Sequence, residues 1–147
     1  FTFVGRAFLT LEWAGLRGRV AVMDGGLPAW IAAGLPTAEG AAAAVTAGDV
    51  VVRPQWRLIA TRDSVVAATA GSGRRLVDAR APQFYRDEQP NNMPRGGHIP
   101  TAINLPFSVA TTPDGRLKPR AELEELVAAA GIGPDERLTT YCHIGQQ

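Results

Sequence analysis

The stretch RLVDAR, residues 75–80, is a short apolar run of strand length that ends on two charged residues, Asp78 and Arg80. The segment before it, TRDSVVAATAGSG (61–73), begins with a threonine suited to a helix N-cap and ends in glycines. Apolar residues lie on one side of this segment, which predicts a helix. A helix that leads into a buried strand is the first unit of an alternating helix and strand pattern.

The same alternation continues toward the end of the chain. AINLPF (102–107) is predicted as a short strand, KPRAELEELVAAAGIG (118–133) as an amphipathic helix, and RLTTYC (137–142) as a third strand. The polar stretch 81–100 between them contains a predicted helical turn near Phe84. Strands that alternate with helices form parallel sheets with helices on their faces, so we predict an α/β fold.

The first part of the chain has a helix, strand and helix pattern of its own. Residues 6–17 are predicted as a short helix and the apolar run 19–23 as a strand. LPAWIAAG (27–34) is predicted as a helix with Pro28 in its first turn and Gly34 as its C-cap. This pattern belongs to a separate structural unit, because small residues without periodicity follow it.

Those small residues are predicted to form a linker. The stretch TAEGAAAAVTAGDV and the residues after it contain alanine, glycine and threonine without a helical or strand period. We therefore divide the chain into three parts: 1–36, the end of a first domain; 37–55, a linker; and 56–147, a second domain.

Composition excludes several classes of protein. The 147 residues have a net charge of +1, which gives no field that favours nucleic acid or an acidic membrane surface. No apolar run approaches the roughly 20 residues of a membrane helix. A single cysteine rules out an intrachain disulfide and a cysteine-rich zinc site. For the compartment we favour the cytoplasm, and an exported form stays open because the sequence starts abruptly at Phe1.

That single cysteine, Cys142, ends the third predicted strand and precedes a glycine-containing polar loop. Ligands of parallel sheets bind beyond the carboxyl ends of the strands, so Asp78, Arg80 and Cys142 are expected to share a site. Two interpretations of Cys142 are open. It is a small buried apolar residue, or it is a reactive thiolate whose pKa is lowered by converging backbone amides.

Four stretches, taken together and in order, resemble the tandem-domain rhodanese family. VMDGGLPAWIAAGLP (22–36) resembles the closing segment of one rhodanese domain. LVDAR (76–80), GGHIPTAINLPF (96–107) and YCHIGQQ (141–147) resemble the start, the middle and the active-site loop of a second domain. On this resemblance the chain has the tail of a first domain and most of a second, cut after the active-site loop.

The resemblance implies a thiosulfate or 3-mercaptopyruvate sulfurtransferase in which Cys142 carries a persulfide. The backbone amides of the loop would stabilise the negative sulfur, and the loop consists of His143, Ile144, Gly145, Gln146 and Gln147. A small-molecule sulfur donor and a thiol or cyanide acceptor are the implied partners, with no nucleic acid, membrane, metal or organic cofactor. The oligomeric state is left open.

The chain departs from the family pattern where an anionic donor would bind. Family members have an arginine in the slot occupied here by Phe84, and their cysteine loops are either basic or rich in small residues, unlike this one. Arg86 and Arg95 are the nearby candidates for donor binding, with a solvated surface charge as the equal alternative for each. For Asp78 and Arg80 we favour a structural ion pair that braces the site over direct chemistry.

Two other functions fit parts of the pattern. A cysteine phosphatase or arsenate-reductase type of enzyme uses the same cysteine position, with an arginine that closes a slightly longer loop. A non-catalytic rhodanese-like binding module would lack the thiol. The presence of Cys142, and the absence of arginine from the loop, favour sulfur transfer.

Overall fold

The computed structural model describes residues 2–90 and 93–144. Five α-helices and three β-strands are assigned in this part of the chain. In chain order they are α1 (Thr2–Leu11), α2 (Gly26–Ala32), α3 (Arg62–Thr69), β1 (Arg74–Asp78), α4 (Pro82–Tyr85), β2 (Ile103–Asn104), α5 (Arg120–Ala129) and β3 (Arg137–Tyr141). Short 3₁₀ turns occupy Trp56–Leu58 and Phe107–Ala110.

The three strands form one parallel sheet in the order β2-β1-β3. In the register, Asp78 at the end of β1 lies opposite Asn104 of β2 and Tyr141 of β3. The predicted α/β class and parallel sheet are therefore confirmed. The consequence for function is that the strand ends, and the loops that follow them, meet at one edge of the sheet.

Helix α3 begins where the sequence predicts it. The Thr61 hydroxyl accepts a hydrogen bond of 3.2 Å from the backbone N–H of Ser64, which satisfies one of the free donors of the first turn. The helix packs on the sheet through Ala68, which forms a small core with Leu76 and Ala102. Leu76 is only 1% exposed, so the centre of β1 is the most deeply buried apolar position in the described part of the chain.

Two predicted strands differ from the structure. The apolar run 19–23 is not a strand, because no described segment pairs with it and a strand needs a partner for its backbone groups. The second strand is only two residues long. Beyond it Pro106, which has no N–H to donate, leads into the 3₁₀ turn at Phe107–Ala110.

The segment from Leu35 to Gln55 contains no helix or strand. Its end is held against the turn after α1 by two backbone hydrogen bonds, from Arg53 N–H to Ala14 O (2.8 Å) and from Gln55 N–H to Trp13 O (2.7 Å). A further contact connects the DGG turn to the later part of the chain, since Asp24 Oδ1 accepts from Leu117 N–H at 2.7 Å. The division into two domains and a linker stays a prediction.

Candidate active site

The site is built on a buried ion pair at the end of β1. Asp78 is 0% exposed and Arg80 is 6% exposed. The guanidinium donates from Nε to both carboxylate oxygens (2.9 and 3.0 Å) and from Nη2 to Oδ2 (2.6 Å). The backbone N–H of Arg80 also donates to Asp78 Oδ1, at 3.0 Å. The favoured ion pair is thus present, and its geometry fixes the turn that leaves the strand.

The environment keeps this pair charged. Burial by itself would raise the pKa of the Asp78 carboxyl, but the hydrogen bonds from Arg80 outweigh burial and hold that pKa below its ordinary value. The hydrogen bond with Asp78 likewise raises the pKa of Arg80. A neighbouring side chain secures the backbone, because Asn104 Nδ2 donates to the carbonyl oxygens of Asp78 (3.0 Å) and Arg80 (2.9 Å).

Arg80 also joins this pair to two loops. Its Nη2 donates to the carbonyl oxygen of Gly97 at 2.8 Å, and its Nη1 lies 3.3 Å from His143 Nε2. The His143 ring packs edge-on against Phe84, with ring centroids 4.8 Å apart and an interplanar angle of 86°. The residue after the cysteine is therefore held by the ion pair on one side and by α4 on the other.

The loop that contains the GGHIP motif is held by aromatic residues. His98 stacks on Tyr85, with ring centroids 3.7 Å apart, and its Nδ1 donates to Tyr85 O at 2.8 Å. Ile99 N–H donates to the Tyr141 hydroxyl at 3.1 Å. Burial is the main cause that raises the pKa of Tyr141 to about 12. His98 thus braces this loop against α4.

Cys142 directly follows β3 and is half-buried in the wall of a cavity of about 390 Å³. The cavity is lined by Arg80, Met93, Arg95, Gly96, Gly97, His98, Ile99, Tyr141, Cys142 and His143. These described lining residues include two guanidinium groups and no carboxylate. Because Arg80 is already paired with Asp78, Arg95 is the lining guanidinium that favours a small anion near the cysteine.

The two candidate arginines have different positions. Arg95 lines the cavity with Cys142. Arg86 does not line it, has a side chain that is 56% exposed, and forms an ion pair with Glu88 at 2.6 Å. Of the predicted loop, His143 and Ile144 are described, and Ile144 is 60% exposed. The remaining loop positions, Gly145, Gln146 and Gln147, lie outside the described residues.

Sequence reasoning missed two features of this site. The first is the contact of Arg80 with His143, and the second is the packing of Phe84 on the same ring. The signal that could have found the second is the position of Phe84, since an aromatic residue at the arginine slot of the family offers an apolar face to the cysteine loop.

Two structural findings concern ligands and membranes. Within residues 2–90 and 93–144, no cluster of three or more histidine, cysteine or acidic side chains is arranged to hold a metal ion. In the same part of the chain, no helix has the length and apolar character needed to cross a membrane.

Comparison with known proteins identifies the family. The rhodanese-like domain family matches residues 61–147. A protein of Pseudomonas aeruginosa, named a probable 3-mercaptopyruvate sulfurtransferase, is 35% identical over 144 residues, which cover 97% of this chain and 50% of that protein. A protein of Mycobacterium tuberculosis, provisionally named a thiosulfate sulfurtransferase, is 32% identical over 136 residues, which cover 88% of this chain and 48% of that protein.

Solved structures agree with this assignment. The crystal structure of SseA from Escherichia coli, described as a 3-mercaptopyruvate sulfotransferase with the rhodanese fold, superimposes with a TM-score of 0.82 at 26% identity. The superposition covers 95% of this chain and 52% of SseA. The chain therefore spans about half the length of the relatives it matches. With the domain match over more than half of its residues and the same fold in SseA, the chain belongs to the rhodanese-like family, in which its named relatives are sulfurtransferases.

Proposed function

We propose that the chain carries the catalytic cysteine of a sulfurtransferase, and that Cys142 holds the transferred sulfur as a persulfide. One observation carries the proposal. Cys142 follows a parallel strand and lines a cavity with two guanidinium groups and no described carboxylate, in a chain whose relatives are named sulfurtransferases. A thiolate in such surroundings is favoured by neighbouring positive charge.

The reaction has two steps. In the first, the Cys142 thiolate attacks the outer sulfur of the donor and forms a new sulfur–sulfur bond. With thiosulfate, the donor sulfur–sulfur bond breaks and its electron pair leaves with sulfite. With 3-mercaptopyruvate, the carbon–sulfur bond breaks and its electron pair leaves as the enolate of pyruvate, which then takes a proton.

The second step returns the enzyme to its starting form. A thiol or cyanide attacks the outer sulfur of the persulfide, and the electron pair of the cysteine–sulfur bond returns to Cys142 as thiolate. With cyanide the product is thiocyanate. Because one product leaves before the second substrate reacts, the kinetics are of the ping-pong type. Neither step requires a metal or an organic cofactor.

Arg95 is the better candidate to bind an anionic donor. It lines the cavity with Cys142, whereas Arg86 is paired with Glu88 and would have to leave that carboxylate first. Arg80 has most of its donors engaged by Asp78, Gly97 and His143, so its role is to brace the site. The donor itself, thiosulfate or 3-mercaptopyruvate, is a question for experiment.

Initial rates of thiocyanate formation test this proposal. The full chain would be assayed with cyanide and either donor, next to Cys142→Ser, Arg95→Gln and Arg86→Gln. The exposed Arg120→Gln, whose partner is Glu124, is the matched control for loss of an arginine.

We expect Cys142→Ser to fall to the uncatalysed rate and Arg95→Gln to raise KM for the donor by about tenfold, the effect of one lost charge-assisted hydrogen bond. Arg86→Gln should have a smaller effect, and the Arg120 control none. Absence of any Cys142-dependent rate with both donors would contradict the proposal. Cys142-dependent hydrolysis of p-nitrophenyl phosphate would identify the phosphatase type instead.

A further inference from the structure

The contact between Arg80 and His143 joins the ion pair to the cysteine loop. The guanidinium group of arginine has only donors, so a hydrogen bond from Nη1 to His143 Nε2 uses a lone pair on that nitrogen. In this arrangement His143 contributes a hydrogen-bond acceptor to the site.

Two guanidinium groups border the same space as the ring. Arg80 contacts the ring, and Arg95 lines the same cavity. The Asp78 carboxylate is engaged by the Arg80 guanidinium. His98, Tyr141 and Cys142 also line this cavity.

We propose that His143 is a positioning residue, which as a hydrogen-bond acceptor attaches the cysteine loop to the buried Asp78–Arg80 pair. The hydrogen bond from Arg80 and the packing against Phe84 act on the residue directly after Cys142. Together they fix where the loop leaves β3, and hence how the sulfur faces the cavity. This inference rests on the proposed sulfur transfer and deepens it, since it names a residue that orients the nucleophile without touching the donor.

Two substitutions distinguish the contribution of the hydrogen-bond acceptor of His143 from that of its aromatic ring. His143→Gln keeps an acceptor, because its side-chain oxygen reaches about as far as Nε2, and it does not titrate. His143→Phe keeps an aromatic ring against Phe84 but has no acceptor. Both side chains are uncharged, so a difference between the two variants reports the hydrogen bond to Arg80.

The rate of sulfur loading of the full chain would be measured near neutral pH for the wild type and both variants. Circular dichroism would establish that each variant is folded. We expect the Gln variant to stay within about threefold of the wild type and the Phe variant to be at least about tenfold slower, as for a lost hydrogen bond to a charged group.

The inference is overturned if the Gln and Phe variants are equally active or equally impaired. Alkylation of Cys142 by iodoacetamide, measured under the same conditions, keeps this test separate from that of the proposed function. If the wild type takes no sulfur from either donor, sulfur transfer fails. The alkylation rates of the Gln and Phe variants would then still show whether His143 positions the thiol.

Discussion

Replacement of Arg80 by methionine would leave the Asp78 carboxylate buried without its partner. Asp78 is 0% exposed, and the guanidinium supplies hydrogen bonds from Nε and Nη2. After the substitution the carboxylate keeps two neutral donors, the backbone N–H at position 80 and the Tyr141 hydroxyl. The carbonyl oxygen of Gly97 loses its bond from the same group. Methionine has similar length and packs well, so the experiment removes charge and hydrogen bonds more than volume.

The expected cost is large in relation to the stability of a domain. Removal of one partner of a buried ion pair destabilises a protein by about 3–5 kcal/mol, because the remaining charge has no compensation. The free energy of unfolding of a typical domain is about 5–15 kcal/mol, so Arg80→Met should lose a large fraction of this stability. Urea denaturation of the full chain near neutral pH, followed by circular dichroism, measures this difference in the free energy of unfolding.

A double variant tests the cause. Asp78→Asn combined with Arg80→Met removes both charges, and the asparagine oxygen can still accept from the backbone N–H at position 80. If the uncompensated carboxylate causes the loss, the double variant is more stable than Arg80→Met alone, although it has fewer native groups. Arg80→Met should also recover relative to the wild type as pH falls, because protonation neutralises its carboxyl. A cost below about 1 kcal/mol, or a double variant less stable than the single one, would refute this reasoning.

Three further predictions follow from the fold and the site. Leu76→Ala should lower the free energy of unfolding by about 2–5 kcal/mol, whereas Leu138→Ala, at a 39% exposed position, should lower it far less. Equal losses in urea denaturation would contradict the described core. Thr61→Ala should lower the free energy of unfolding by about 1 kcal/mol, and Thr61→Ser should lose much less, because the serine hydroxyl can accept from Ser64 N–H. A Ser variant as unstable as the Ala variant would exclude capping as the cause. Burial raises the pKa of Tyr141 to about 12, above its unfolded value of about 10. The folded chain therefore keeps this proton to a higher pH than the unfolded chain does. The stability gained in this way is complete below about pH 10 and is lost as pH rises toward about 12. The ultraviolet absorbance titration of the wild type, minus that of Tyr141→Phe, should have its midpoint near pH 12, and a midpoint near pH 10 would show that the hydroxyl is solvated.

Several elements between residues 61 and 141 could be predicted because their signals are local. Thr61 marks the start of α3 by its own hydroxyl, and the period of apolar residues marks α5. The predicted strand at 19–23 failed because strand formation depends on a neighbouring strand, which a single apolar run cannot reveal. The general location of the site followed from topology, since parallel strands bring their carboxyl ends to one edge.

Side-chain contacts within the site could not be predicted in the same way. The sequence does not distinguish Arg86 from Arg95 as the candidate for donor binding. Only the conformation of the stretch 81–100 places Arg95 at the cavity and Arg86 next to Glu88. The contact between Arg80 and His143 is of the same kind. Such contacts depend on loop geometry, for which no periodic pattern exists.

Intact mass spectrometry tests the central claim most directly. The full chain would be incubated with thiosulfate and, separately, with 3-mercaptopyruvate, next to Cys142→Ser, and then treated with cyanide. The account predicts a gain of about 32 Da, one sulfur atom, that is lost on addition of cyanide and absent from the serine variant. No gain from either donor, or an equal gain in Cys142→Ser, would contradict the assignment of Cys142 as the sulfur carrier.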